Sequence, residues 1–465
     1  MPRLSIGQIL EATGGTLLRG DPETTVDSFE IDTRRVREGG LFFALQGEKT
    51  DGHKFLDQAA GRSAAAAIVS REVPDHSKAP PVLVQVEDGF TALTACGRAA
   101  RDAIRQTTVI AVTGSTGKTT TKDLIAAGLA GGRKVHKTGG NFNNHLGVPL
   151  TLLACPDDAD FAVVELAMSG PGEIADLARL SRPDYALVTN VCPVHLAAFE
   201  NLDDVAAAKG ELFAVLPADR TSVVNLDDPH VRLQSMRHSG PRVTYGRSGK
   251  AEVRLEQLED RFLPGAGLTV RCNDLAHRFD LRLGGGHSAL NAVAAMATIH
   301  AVGEDIEAAG RAMERFEAGP GRGQRIELPY GAVVIDDSYN SNPTAMASVL
   351  ETLKATRTEG RKILVLGDML ELGQEEDRFH REAGQQAASA GVDLLIGVGQ
   401  LVRCSLQAAS KAGVAETHLA SDAGAAAKYL SGKLRSGDLV LVKGSRGLRL
   451  DRLVQRLVEK RQEAS

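Results

Sequence analysis

Residues 109–121 read VIAVTGSTGKTTT. An apolar strand runs into a glycine turn and then into a helix. The backbone N–H groups from Thr113, Gly114, Ser115, Thr116 and Gly117 into Lys118, Thr119 and Thr120 therefore converge on one place, where a polyphosphate can sit. Lys118 would reach the outer phosphates, and Thr119 would offer its hydroxyl to Mg²⁺. The longer form of this pattern wants a glycine five residues before Gly117, where this chain has Val112. The shorter form points to a subclass of phosphate-binding enzymes rather than to a generic kinase or GTPase. The bland alternative, a glycine turn with a surface lysine, does not explain the strand before it and the helix after it.

Outward from this loop, apolar runs at 109–113, 161–166, 185–189 and 221–225 alternate with helical segments, which predicts a mainly parallel sheet covered on both faces. Residues 240–284 alternate around glycine and Asn-Asp turn signals, as an antiparallel meander would. A helix is expected from about 288 to 301. The stretch 317–323 holds three glycines and a proline and cannot sustain a helix, so it reads as a linker. Beyond it, apolar runs at 332–335, 362–366, 394–398 and 438–442 again alternate with helices, the pattern of a second, smaller doubly wound domain. Short strands at 41–45, 66–69 and 81–86 precede a connecting helix at 90–105. The expected architecture is α/β in three domains, 1–107, 108–317 and 318–465, in keeping with 465 residues at ~150 per domain.

Composition removes several functions. Lys plus Arg number 54 against 59 Asp plus Glu, a net charge of −5, without the basic excess of a nonspecific nucleic-acid or membrane binder. There is no Trp, and aromatics make up 4%, too few for the stacking platforms of single-strand binders. The amino terminus lacks a signal-peptide apolar core, and no uninterrupted apolar run approaches the ~20 residues that span a bilayer. Cys96, Cys155, Cys192, Cys272 and Cys404 are scattered and odd in number, which suits reduced thiols in a cytoplasmic protein.

Glu165 ends a strand parallel to the phosphate-loop strand, where open α/β sheets bind ligands, and could hold Mg²⁺; it could equally be a salt-bridged strand end. His195 follows the next strand on the same expected rim, although an isolated histidine more often packs or faces solvent. Lys209, in AAAKGELF, would ordinarily be a solvated helix residue. Asp336 and Asp337 end the first strand of the last domain in IDDSYNSNP, a context that turn chemistry alone could also produce. GDMLELG, 367–373, repeats the arrangement after the next strand, so a ligand-facing rim is expected there.

In order along the chain stand DTRRVREGGLFFALQG (32–47) with DGH (51–53), TGSTGKT (113–119), GNFNNHLGVPLTLL (140–153), AKGELF (208–213), HSALNAVAA (287–295), PGRG (320–323), DDSYNSNP (336–343), GDMLELG (367–373) and VKGSR (442–446). In this constellation the chain resembles the Mur ligase family, over nearly its whole length. The last-domain blocks are most similar to the branch that adds D-alanyl-D-alanine to a UDP-N-acetylmuramoyl-tripeptide.

The resemblance implies a small α/β domain for the UDP end of the substrate, a central P-loop ATPase and a Rossmann-like domain receiving the amine. Carried over by position, it implies that Thr33 and Arg34 meet the uridine nucleotide and that Asn141 and Asn144 line the UDP-substrate cleft. Thr119 and Glu165 would hold one Mg²⁺, and Glu165, His195 and Lys209 a second, with Lys209 carbamylated. Asn291 would meet adenine, Arg322 the γ-phosphate and Asp337 the ribose, while Asn340 and Asn342 would lie near the incoming dipeptide. Lys118, Glu165, His195, Lys209 and Arg322 would form the catalytic set, working on ATP in a monomer without nucleic acid or membrane insertion. Departures from the family pattern stand at Ser169 and Gly170, at Ser288, and at Ala197 and Ala198. They bear on fine substrate preference. Rival readings are a plain P-loop kinase or NTPase, a non-catalytic UDP-glycan binder, and the family member that adds the third residue.

Overall fold

The computed structural model describes residues 3–73, 75–194, 198–260, 265–328 and 331–463. Its first large sheet orders Thr16–Arg19, Val82–Gln85, Ala66–Val69, Leu41–Phe43 and Phe29–Glu30, parallel except at Thr16–Arg19. The helix Gly89–Ala103 leaves this domain, capped by the Asp88 carboxylate, which accepts from Thr91 N–H. Its apolar stripe, with Leu93, Cys96 and Ala100, joins Val109 and Ala111 of the phosphate-loop strand in one continuous core. Buried Arg101 donates to the carbonyls of Ser181 at 2.8 Å and Arg182 at 3.1 Å. The connecting helix is thus part of a shared core that fixes the first domain to the second.

The central sheet runs Val135–Lys137, Phe161–Glu165, Thr108–Thr113, Tyr185–Val188, Thr221–Asn225 and Arg242–Gly246, all parallel. Chain order reverses on either side of Thr108–Thr113, which makes its carboxyl end a switch point where ligands bind. The register sets Glu165 opposite Val112 and Val188 opposite Thr113, so the rim residues meet at the loop. Val253–Asp260, Ala266–Cys272 and Leu275–Leu281 form the expected antiparallel meander. Residues 242–246 do not belong to it: they pair parallel with Thr221–Asn225, because the intervening helix Pro229–Ser235 returns the chain in the same direction. The helix Gly286–Ala301 buries most of its surface against this sheet.

The last sheet orders Gln324–Glu327, Val333–Asp337, Leu439–Lys443, Lys362–Gly367, Leu394–Val398 and Glu416–Ala420, antiparallel only at its first strand. Separate apolar cores cover its two faces, the doubly wound arrangement expected. No described helix is long and apolar enough to cross a membrane.

Candidate active site

Two glycines shape the phosphate loop. Gly114 has φ +144°, and a Cβ there would lie 1.9 Å from Thr189 Oγ1. Gly117 has φ +77°, and a Cβ there would lie 2.2 Å from Asn291 Oδ1. Only glycine satisfies both the conformation and the close approach. The segment 189–192 pins the loop from the neighbouring strand. Thr189 Oγ1 donates to Thr116 O at 2.6 Å, and Thr116 N–H donates to Asn190 Oδ1 at 3.0 Å. Ser115 Oγ accepts from Cys192 N–H at 2.9 Å. The helix Lys118–Leu129 then starts with its N–H groups facing the cleft, and Lys118 Nζ lies against the carbonyls of Gly114 and Ser115, at 2.7 and 3.2 Å.

Glu165 is buried at 1% exposure. One oxygen accepts from Thr119 Oγ1 at 2.7 Å and the other from Asn143 Nδ2 at 2.8 Å, while its own N–H donates to Thr138 Oγ1 at 3.0 Å. Among the described residues no salt bridge neutralises it, and its partners are a hydroxyl and an amide. Asn143 was not singled out from the sequence. Its neighbours Asn141 and Asn144 were, and Asn144 Oδ1 accepts from the N–H groups of Leu146 and Gly147, at 3.1 and 3.0 Å, at the start of Gly147–Leu153.

Lys209 is not a solvated helix residue. It is 2% exposed within Leu202–Val215 and, among the described residues, has no hydrogen-bond or ion-pair partner. Burial drives its ammonium well below the ordinary lysine value, and the charge of Lys118 adds to the effect. His195 lies outside the described residues, as does Ala197. Among the described residues no group of three or more His, Cys, Asp and Glu could hold a metal ion. The donor set that does fit a cation is the Glu165 carboxylate with the Thr119 hydroxyl.

Asp337 lines the cavity from the other side, held by Lys443 Nζ at 2.6 Å. Lys443 is buried and also donates to Asn340 O at 3.2 Å. The Arg322 guanidinium lies 3.9 Å from the centre of the Tyr339 ring. Asn342 Oδ1 caps Pro343–Ala355 by accepting from Ala345 N–H at 2.9 Å. Lys443 and Tyr339 lie in the blocks VKGSR and DDSYNSNP, but the sequence alone assigned them no role. Conversely, Asp368 of GDMLELG does not face a ligand: it accepts from the N–H groups of Gln400 and Val402, both at 2.9 Å, at the start of Val402–Lys411. Free N–H groups at a helix start hold a carboxylate, so of the two polar strand ends expected on one rim, Asp337 lines the cavity and Asp368 is taken up by the backbone.

One cavity of about 650 Å³ brings together Ser115–Thr120, Glu165 and Asn291 from the central domain with Arg322, Asp337, Asn340 and Asn342 from the last. Thr33, Arg34, Asn141 and Asn144 do not line it. They belong to a separate junction, where the Arg35 guanidinium lies 5.2 Å from the Phe142 ring centre. Thr33 there is buried and donates to Gln58 Oε1 at 3.2 Å, while Arg34 is exposed and paired with Asp32. At Ser169 and Gly170 the loop is held from its flanks: Glu211 accepts from the N–H groups of Gly172 and Ala175, at 2.7 and 3.1 Å.

A phosphate loop faced by a second α/β domain across a polar cleft defines a nucleotide-binding enzyme whose site is shared by two domains. Residues 25–101 match the Mur ligase family catalytic domain, 112–299 the Mur ligase middle domain and 321–446 the Mur ligase glutamate ligase domain. The chain belongs to the Mur ligase family. Within it, the chain is 35% identical to the UDP-N-acetylmuramoyl-tripeptide–D-alanyl-D-alanine ligase of Bacillus subtilis, over 99% of both chains. It is 34% identical to that of Escherichia coli, again over 99% of both. Among solved structures, MurF from Acinetobacter baumannii superposes with a TM-score of 0.87 at 27% identity, covering 99% of each chain. MurF ligase from Thermotoga maritima in complex with ADP superposes at 0.80 with 28% identity, covering 95% of this chain and 99% of that one.

Proposed function

We propose that this chain joins D-alanyl-D-alanine to UDP-N-acetylmuramoyl-tripeptide with conversion of ATP to ADP and phosphate, a step in peptidoglycan precursor synthesis. The observation that carries the reading is the single cavity in which Lys118, Thr119 and Glu165 face Arg322, Asp337 and Asn340. The tripeptide carboxylate attacks the γ-phosphorus, and ADP leaves. The dipeptide amine then attacks the acyl carbon of the acyl phosphate, loses a proton, and phosphate departs with the former carboxylate oxygen. Lys118 and the N–H groups of the loop hold the phosphates, and Arg322 takes up charge on the transferred phosphoryl group. Asn291 and Asp337 hold the nucleoside, and Asn340 and Asn342 border the dipeptide. Thr33, Arg34, Asn141 and Asn144 serve the UDP end.

Thr119 and Glu165 would hold one Mg²⁺, and Glu165, His195 and Lys209 a second; the metal supplies charge neutralisation on the phosphoryl oxygens. A lysine whose pKa is pushed down carries a free amine, which can take up CO₂ to become a carbamate, and that anion suits a cation where an ammonium would repel it. The domain boundaries 1–107, 108–317 and 318–465 belong to this reading and are supported by four sheets among the described residues, each of which falls inside one of them. On this reading the enzyme works as a monomer. A cytoplasmic setting accords with ATP as co-substrate and with five free cysteines.

The test is ADP release with the UDP-tripeptide, with and without D-alanyl-D-alanine, beside UDP-dipeptide controls. Heavy oxygen placed in the tripeptide carboxylate should appear in the released phosphate. Complete retention of the label in the peptide product refutes the acyl phosphate route.

A further inference from the structure

The adjacent carboxylates of Asp336 and Asp337 serve opposite sides of the sheet, as successive residues of a strand do. Asp337 faces the nucleotide cavity and Lys443. Asp336 is 4% exposed and faces the glycine-rich linker. Its Oδ2 accepts from Gly321 N–H at 3.0 Å, and its Oδ1 accepts from Ser338 Oγ at 2.5 Å and Ser338 N–H at 3.2 Å. Backbone bonds close the same loop: Gly323 N–H donates to Asp336 O at 2.8 Å, and Tyr339 N–H to Gly321 O at 2.9 Å. Gly321 adopts φ +76°, and a Cβ there would lie 3.0 Å from Tyr339 N. Between the two pinned glycines stands Arg322, stacked on Tyr339.

The geometry points to Asp336 as a positioning residue for the ligase reaction, clasping Gly321 to the strand end so that Arg322 travels with the last domain and enters the phosphate cavity at a fixed angle. This rests on the ligase reading above. The flexible joint then lies before the clasp, at 317–320, rather than across the whole of 317–323. An arginine arriving on the moving half completes the site only on closure, which ties phosphoryl transfer to exclusion of water. Burial raises the Asp336 carboxyl above the ordinary carboxylate value, with the Ser338 and Gly321 donors opposing the shift. Such a group is costly to bury and has a partner set directed at the linker.

The experiment is a double-mutant cycle in the full-length enzyme, pairing Asp336→Ala with Arg322→Ala and following product formation and thermal stability. Asp336→Ala alone should lower kcat ~10–100-fold, the scale of a displacement of about 1 Å in a catalytic group, with the KM for the UDP-tripeptide unchanged. In the Arg322→Ala background the same substitution should change kcat less than about twofold, because the group it aims is gone. A merely structural role would cost the same factor in both backgrounds, and that additivity overturns the clasp. If Asp336→Ala does not fold, Asp336→Asn, which turns one acceptor oxygen into a donor, and Gly321→Ala, which strains the loop at φ +76°, weaken the same contact from either side and are read by the same cycle. A wild type that makes no dipeptide adduct overturns the ligase reading instead, whereas an active wild type with additive losses overturns the clasp alone.

Discussion

Replacing Gly117 by alanine tests whether the loop geometry, rather than its composition, makes the nucleotide site. Two costs attach to the change. The first is conformational: φ is +77°, and an L-residue there costs ~1–2 kcal/mol. The second is steric, because the new Cβ would stand 2.2 Å from Asn291 Oδ1 and 3.0 Å from Asn291 Nδ2. Asn291 must retreat by about 1 Å to restore ordinary contact, and it is a cavity-lining residue held in the buried helix Gly286–Ala301. Gly303 provides the control, since it has φ +81° with nothing within 4 Å of its would-be Cβ. Gly303→Ala should lose about 1–2 kcal/mol in denaturant titrations, and Gly117→Ala at least as much, because it adds the clash to the same conformational cost. Only Gly117→Ala should lose kcat/KM for ATP, by ~100-fold, with calorimetric affinity for the UDP-tripeptide retained. Equal nucleotide binding in the two variants would refute the reasoning, for then the contact with Asn291 does not shape the site.

Lys209→Ala should lower kcat ~100-fold and regain part of it with added formate or acetate, which can occupy the vacated anionic position, and ¹³CO₂ should give the wild type a carbamate carbonyl signal that the variant lacks. Full activity of the variant without additives would make Lys209 a packing residue. Buried Asp438, paired with the partly exposed guanidinium of Arg361, sets a pH dependence: burial opposes ionisation of Asp438, but the guanidinium at 2.7 Å and the N–H groups of Arg435 and Arg361 outweigh it and lower the pKa. A depressed folded-state value contributes stability above the unfolded value near ~4 and loses it as pH falls. Asp438→Asn should therefore cost about 1–2 kcal/mol at neutral pH, and the gap to wild type should close as pH falls below about 4 in urea titrations; a constant gap contradicts the assignment.

How much of this was legible depended on whether a contact is local. The strand, glycine turn and helix of 109–121 announce themselves because each residue's conformation is set by its neighbours. Glu165 was recoverable because a strand end parallel to that loop must share its rim. Lys209 was not recoverable from pattern, since AAAKGELF reads as any amphipathic helix, and its burial arises from packing against distant segments; only family likeness pointed to it. Asn143 illustrates a finer limit. In the run NFNN, which amide turns toward Glu165 depends on how the loop enters Gly147–Leu153, where Asn144 is used as a cap. Lys443 required the strand order, because it meets Asp337 only when Leu439–Lys443 lies beside Val333–Asp337. The short strands Val135–Lys137 and Gln324–Glu327 carry too few apolar residues to register as strands before their partners are known.

The surface that joins the two halves of the cavity explains why ligands can control it. The helix Pro343–Ala355 buries Met346, Val349, Leu350 and Leu353 in its own domain. Toward the central domain it offers hydroxyls spaced four residues apart. Ser348 Oγ meets His287 Nδ1 at 3.1 Å, Thr344 reaches the Cys192 thiol, and Thr352 Oγ1 lies 3.3 Å from where a Cβ of Gly285 would stand. Such contacts exchange readily with water, each worth about 1 kcal/mol net, and they bring little apolar area out of solvent. A leucine at any of these positions would favour the joined state whether or not substrate were present. With hydroxyls there, the contact between the halves is weak enough for a bound ligand to outweigh it. On the proposed assignment ATP would touch both halves, and its better binding to the joined form is the only ground on which it would shift such an equilibrium.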